Sequence, residues 1–218
     1  MNNIALRADP AQPLHILCLG AHSDDIEIGC GGTLLKLSQS YTNLHVRWIV
    51  FSADRDRRHE AEESAAVFLE RVASRRVDIL DFRDGYFPYD GAAIKDYFEQ
   101  LKAEWQPDLI FTHCRHDLHQ DHRTLCNLTW NTYRNHLILE YEIAKYDGDL
   151  GAPNVFVDLD AALCERKVDY LLQFFSTQRS KHWFTRETFM ALMRLRGVES
   201  KATGGYAEAF YGRKIELA

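Results

Sequence analysis

The chain has 218 residues, 46% of them apolar and 27% charged, enough to bury one sizeable core beneath an ordinary charged surface. A formal net charge of −6 argues against a sequence-independent nucleic-acid binder, which needs a basic face to neutralise phosphates. Local basic clusters (Arg55, Arg57 and Arg58; Arg75 and Arg76) keep a small anionic substrate open.

Strand-like and helix-like segments alternate from the start. Leu14 to Leu19 is a short apolar run ending at Gly20, a buried strand. Residues 31–40 carry Leu34, Leu35 and Leu37 at helical spacing, and 44–51 is rich in β-formers. A helix over 60–72 has Ala65, Ala66, Phe68, Leu69 and Val72 as its apolar face. A strand at 77–82, a loop with Gly85, Pro88 and Gly91, and a helix at 92–104 follow. Pro107 interrupts before a strand at 108–112, and 123–136 reads as a helix. Beyond residue 137 the pattern loosens: strands at 138–144, 155–159 and 209–217, helices at 161–175 and 187–196.

This rhythm predicts an α/β fold, Rossmann-like, with a mostly parallel sheet covered by helices on both faces. Residues 1–218 read as a single domain, 14–136 forming the core and 137–218 completing the substrate site. The five cysteines are odd in number and show no C-x-x-C spacing, so reduced thiols are expected rather than disulfides or a structural zinc. The polar N-terminal segment and the lack of any run of ~20 apolar residues point to a soluble cytoplasmic protein without a membrane span. Oligomeric state, a homo-oligomer included, stays open.

Two stretches carry candidate chemistry. Ala21-His-Ser-Asp-Asp-Ile-Glu27 follows the first strand and precedes a glycine-rich turn, Gly29 to Gly32. His113 to His122, with four histidines, follows the strand at 108–112. Each lies at the C-terminal end of a parallel strand, the edge where open α/β sheets bind ligands. A catalytic zinc takes three protein ligands and keeps a position for water. His22 with one of Asp24 and Asp25 supplies two ligands, and the second stretch supplies the third. The other aspartate then serves as general base. His119 and His122 lie one helical turn apart, so one can bind metal while the other stabilises an oxyanion or donates a proton. Asp121 can orient a neighbouring imidazole. Two imidazoles and a carboxylate suit Zn2+ and Fe2+ alike.

His22-Ser-Asp-Asp-Ile-Glu-Ile-Gly-Cys-Gly-Gly32, taken with His119-Gln-Asp-His-Arg123, closely resembles the two signature motifs of the LmbE/PIG-L zinc-dependent N-deacetylases. Tyr206 to Phe210 is similar to that family's closing segment. The resemblance implies metal ligands His22, Asp25 and His122, with Asp24 as general base. It implies His119 as the oxyanion-stabilising or proton-donating histidine, Asp121 as its orienting carboxylate, and Arg58 as a substrate-contacting arginine. The implied reaction removes acetate from a small-molecule N-acetylated substrate, an amino sugar or its conjugate. Ser23 and Gln120 depart from the family's prolines and loosen each loop without removing a functional group. His116 lies outside the pattern and reads as a rim residue. Specificity loops are expected in 83–92, 146–154 and 176–204.

Two alternatives stand beside this reading. His119-x-Asp-His122 matches half of a metallo-β-lactamase-like metal motif, although residue 117 is Asp where a histidine is needed. A non-catalytic nucleotide- or sugar-binding module would instead use Gly29 to Gly32 as an anion cradle.

Overall fold

A computed structural model describes residues 4–216. In chain order the elements are β1 (Leu14–His22), α1 (Asp25–Ser40), β2 (Leu44–Ser52), α2 (Arg55–Phe68), β3 (Ser74–Ile79), α3 (Gly91–Glu104) and β4 (Leu109–His113). They continue with α4 (Gln120–Thr132), β5 (Leu137–Tyr141), β6 (Val155–Leu159), α5 (Ala161–Phe174), α6 (Arg186–Ser200) and β7 (Tyr206–Gly212). The final strand thus begins and ends earlier than the predicted 209–217, and Leu217 lies outside the described residues.

Seven strands form one sheet in the order β3-β2-β1-β4-β5-β7-β6. Strands β1 to β5 pair in parallel, while β7 runs antiparallel between β5 and β6. Because side chains alternate across a strand, β1 feeds two cores. Ile16 and Cys18 join residues of α1, α2, α5 and α6 on one face, and Leu17 and Leu19 join α3 and α4 on the other. This is the predicted mostly parallel sheet with helices on both faces. One continuous sheet excludes the two-sheet sandwich of the metallo-β-lactamase-like alternative. No helix among the described residues is long and apolar enough to cross a membrane.

Helices α1, α2 and α4 start three or more residues earlier than periodicity indicated. Helix α2 opens at Arg55 because the Asp54 side chain accepts from Arg57 N at 2.9 Å, an N-cap ahead of the first apolar residues. Helix α1 opens at Asp25, so the predicted glycine turn is helix interior. The glycines there answer to packing. A Cβ on Gly29 would lie 2.2 Å from Tyr141 Cδ2, and one on Gly32 would lie 2.9 Å from Glu208 Oε1.

Glu208 enters the hydrogen-bond ladder of α1. Its carboxylate accepts from Gly32 N at 2.8 Å and Thr33 N at 2.6 Å. The carbonyl of Ile28 in the same turn receives Lys167 Nζ at 2.6 Å, which also meets Glu208 at 2.6 Å. The cradle invoked for an anion-binding module is therefore already filled by a protein carboxylate. Strand β7 is fastened by the same bonds to the helix that begins at the site.

Replacing Glu208 by alanine leaves Lys167 buried without its counter-charge and removes a charged acceptor from two α1 N–H groups. Urea unfolding should report a loss of about 3–5 kcal/mol; a loss below about 1 kcal/mol would contradict the clamp.

Candidate active site

The crossover direction reverses between β1 and β4, which makes their C-terminal ends a switch point. His22 closes β1 and His113 closes β4, so the two motif loops meet there. Asp24 is the N-cap of α1 and Asp25 its first residue. His119 is the N-cap of α4, and His122 falls within that helix's first turn.

Three donor atoms converge. His22 Nδ1 lies 3.2 Å from His122 Nε2 and 3.4 Å from Asp25 Oδ2, and His122 Nε2 lies 3.5 Å from Asp25 Oδ2. Donors at the corners of a tetrahedron with bonds of ~2.0–2.1 Å stand about 3.3–3.4 Å apart. The trio therefore has the spacing and the N/N/O donor set that zinc or ferrous iron accepts.

Carboxylates fix which ring nitrogen points inward. His22 Nε2 faces Asp84 Oδ1 at 3.1 Å and Asp121 Oδ2 at 3.4 Å, leaving the Nδ1 lone pair for the site. His122 Nδ1 donates to Asp117 Oδ2 at 2.9 Å, leaving its Nε2 lone pair free. Asp25 Oδ2 is itself aimed by the His22 N–H at 2.7 Å. Below, His113 stacks on His122 with centroids 3.8 Å apart and accepts from Ala21 N at 2.9 Å. Tyr141, seated against Gly29, donates to Leu19 O at 2.6 Å and lies 3.3 Å from His113 Nε2.

The electrostatics favour a cation. Burial alone would strip His22 of its proton, but the facing Asp121, Asp25 and Asp84 hold its pKa well above the usual imidazole value, a preference for positive charge that a metal on Nδ1 would meet in the proton's place. Burial opposes charge on Asp25 too, yet its hydrogen bonds with His113 and His22 keep it well below the carboxylate range. His122, by burial and the adjoining His113, drops to about 3 and is a neutral ring. Asp24 shifts the other way. Burial and the neighbouring Asp25 raise its pKa, against the pull of Arg57, whose Nη2 lies 3.2 Å from Asp24 Oδ1.

His119 Nδ1 accepts from Asp121 N at 3.3 Å as a helix cap, which puts its proton on Nε2 and makes that atom a donor. Its ring stacks on His122 at 4.5 Å and meets His22 edge-on at 4.9 Å. Burial and His22 lower its pKa, keeping it neutral.

The placement differs from the sequence expectation at two residues. The Asp121 carboxylate does not reach His119. It accepts from Gly85 N at 2.7 Å and Phe87 N at 3.1 Å and faces His22, because the capping geometry leaves only the Asp121 backbone N–H beside His119. Arg58 donates to Ile79 O at 2.6 Å and ties α2 to β3, whereas Arg57 enters the site. Neighbours on a helix are about 100° apart, so only one can face inward, and the Asp54 cap that starts α2 at Arg55 selects Arg57. The two departures from proline add bonds: Ser23 Oγ accepts from Arg57 Nε at 2.9 Å, and Gln120 Nε2 donates to Gly85 O. His116 is exposed.

Asp84, Asp117, His113 and Tyr141 escaped the sequence reading. Asp117 and His113 lay inside the histidine-rich stretch, but no spacing set them apart there. Nothing local marks Asp84 or Tyr141.

A family model described as "PIG-L: GlcNAc-PI de-N-acetylase" matches residues 17–133, more than half of the 218-residue chain, and both motif loops fall inside the match. The chain belongs to the LmbE/PIG-L family. This LmbE/PIG-L chain is 29% identical over 115 residues to the uncharacterized deacetylase YaiS of Escherichia coli K12. The match covers 49% of this chain and 61% of YaiS, less than two thirds of that relative's length. Among solved structures it resembles N,N'-diacetylchitobiose deacetylase from Pyrococcus horikoshii, with 25% identity, TM-score 0.66 and coverage of 95% and 88% of the two chains. It also resembles GalB, the 4-carboxy-2-hydroxymuconate hydratase of Pseudomonas putida, with 18% identity, TM-score 0.72 and coverage of 94% and 98%. The likeness to GalB is one of fold alone. A frame shared by a deacetylase and a hydratase leaves the reaction to be argued from the site.

The two arginines should separate in a pair of variants. Arg58→Ala is expected to lower unfolding free energy by about 1–2 kcal/mol while kcat stays near wild type. Arg57→Ala should lower kcat by about tenfold or more, a change of about 1.4 kcal/mol in the barrier. Equal effects on kcat would return Arg58 to the substrate site.

Proposed function

We propose that the protein is a metal-dependent N-deacetylase that hydrolyses the acetamide of an N-acetylated amino sugar or its conjugate. The observation that carries this reading is the convergence of His22 Nδ1, Asp25 Oδ2 and His122 Nε2, with His119 stacked on His122 and the Asp24 carboxylate held by Arg57. Support also comes from the deacetylase names of YaiS and of the chitobiose enzyme.

His22, Asp25 and His122 would hold the cation, zinc or ferrous iron. When bound, it supplies Lewis acidity, polarising an amide carbonyl and acidifying water. Asp24 removes the proton of the attacking water. Its raised pKa brings it nearer to neutrality, where a general base works best, and the Arg57 guanidinium holds its carboxylate in place. As the acetamide carbonyl becomes tetrahedral, the His119 Nε2–H donates to the developing oxyanion. The departing amine takes a proton from Asp24 or His119, and acetate leaves. Asp121 contributes through His22, whose ring orientation it fixes together with Asp84.

The sugar part of the reading draws on the rim. Among the described residues, Tyr86, Tyr89 and Tyr146 are 40%, 79% and 71% exposed. They occupy the loops after β3 and β5 at the C-terminal edge of the sheet, and the loop of Tyr86 is bonded to Asp121 through Gly85 and Phe87. Exposed aromatic faces beside a catalytic cleft suit the C–H face of a sugar ring. The segment 137–218 would complete this substrate surface through Tyr146 and the stretch around Lys181, whose charge reaches Asp24.

Purified protein should carry about one divalent cation per chain and release acetate from N-acetylated sugars, with loss of activity on chelation. Asp24→Ala should abolish most turnover while metal content stays near wild type; loss of the metal would make Asp24 a ligand instead. His119→Ala should lower kcat by ~10²–10³, and an unchanged rate would remove it from the mechanism. A panel of N-acetyl sugars from which the metal-loaded protein releases no acetate would count against the substrate class.

A further inference from the structure

Outside both motifs, the loop between β5 and β6 brings Asp147 and Asp149 up to Asp117 of the β4–α4 loop. Asp117, Asp147 and Asp149 present oxygens within 4.8 Å of one another, a spacing that on its own reads as a second metal site. A cation is already there. Lys145 Nζ lies 2.6 Å from Asp149 Oδ2, 3.0 Å from Asp117 Oδ1 and 3.7 Å from Asp147 Oδ2, on a side chain only 9% exposed.

Asp117 connects that ammonium to the catalytic centre. Its Oδ1 accepts from His119 N at 2.8 Å as well as from Lys145, and its Oδ2 takes the Nδ1–H of His122 at 2.9 Å. Its carboxylate is 3% exposed, so no bulk water can stand in for a lost partner. The opposite loop is fastened to the same place, since Leu118 N donates to Asp149 Oδ2 at 2.7 Å. Take away the ammonium and two buried carboxylates, Asp117 and Asp149, face each other as like charges. Asp117 would then turn from Asp149, and the His122 ring would lose the acceptor that keeps its Nε2 lone pair towards His22 and Asp25.

We propose that Lys145 is a positioning residue of the metal site: its buried ammonium fixes Asp117, Asp117 fixes the His122 ring, and the affinity for the metal depends on both. The inference rests on the reading of His22, Asp25 and His122 as metal ligands. It also makes the β5–β6 loop, which carries Tyr146 into the rim, part of the metal-holding machinery rather than a passive substrate wall.

The test is zinc affinity, by competition with a chelator, of wild type, Lys145→Met, Lys145→Arg, Asp117→Asn and the Lys145→Met/Asp117→Asn double variant, with the unfolding midpoint of each metal-free protein beside it. Partners that orient a metal-binding histidine are typically worth ~10–100-fold in metal affinity. Lys145→Met should lose that much in affinity and also lower the metal-free midpoint, because it leaves Asp117 and Asp149 buried as like charges, and Lys145→Arg should recover most of both. In the Asp117→Asn background the methionine should cost little more, because the path is already cut. Should Lys145→Met fail to fold, Lys145→Gln, which keeps hydrogen-bond donors without the charge, carries the same expectation. An unchanged zinc affinity, or a full additional loss in the Asp117→Asn background, would overturn the role of Lys145. Wild-type protein that binds no zinc would overturn the ligand reading itself.

Discussion

Two imidazole lone pairs and one carboxylate oxygen are held within 3.5 Å of one another on buried side chains, and most of the surrounding structure serves to keep them so. Left alone, such a group is unstable: the rings can turn, and the carboxylate resists burial. Each degree of freedom has a named restraint. Asp84 and Asp121 grip the far nitrogen of His22, Asp117 grips that of His122, and the His22 N–H aims Asp25. Counting Asp24, Asp25, Asp84, Asp117 and Asp121 against Arg57 and Lys145, the pocket carries an acidic excess suited to a divalent cation.

The fold supplies this arrangement through close backbone approach. Tyr141 reaches beneath the site only because residue 29 has no Cβ, and from there it contacts His113, on which His122 stacks. Glu208 reaches into α1 only because residue 32 is also glycine. The glycines of the first motif are thus packing devices inside a helix. They let one strand from the middle of the chain and one from its end press against the helix that presents Asp25.

The alternation of apolar runs made the sheet legible, because buried parallel strands and amphipathic helices differ in period. The switch point, and with it the meeting of the two motif loops, followed from strand order. Boundaries failed where polar residues begin or end an element. Asp54 caps α2 ahead of its apolar face, and edge strand β3 tolerates Arg75 and Arg76 because one side of it lies open. In the site, residues within the motifs were legible, whereas their orienting partners were not. Asp84 lies on a loop 62 residues from His22 in sequence, and Lys145 lies beyond β5; each acts through a contact that no local pattern records. The choice of Arg57 over Arg58 turned on a helix start set by a single cap. The role of Asp121 turned on which of its groups, carboxylate or N–H, the cap of α4 leaves beside His119.

The most direct test of the central claim is a crystal structure of zinc-loaded protein with anomalous data collected on either side of the zinc edge. The expected result is one strong peak within bonding distance of His22 Nδ1, Asp25 Oδ2 and His122 Nε2, with Asp24 unbonded beside it. A peak among Asp117, Asp147 and Asp149 instead, or none at the three convergent donors despite stoichiometric zinc, would contradict the account.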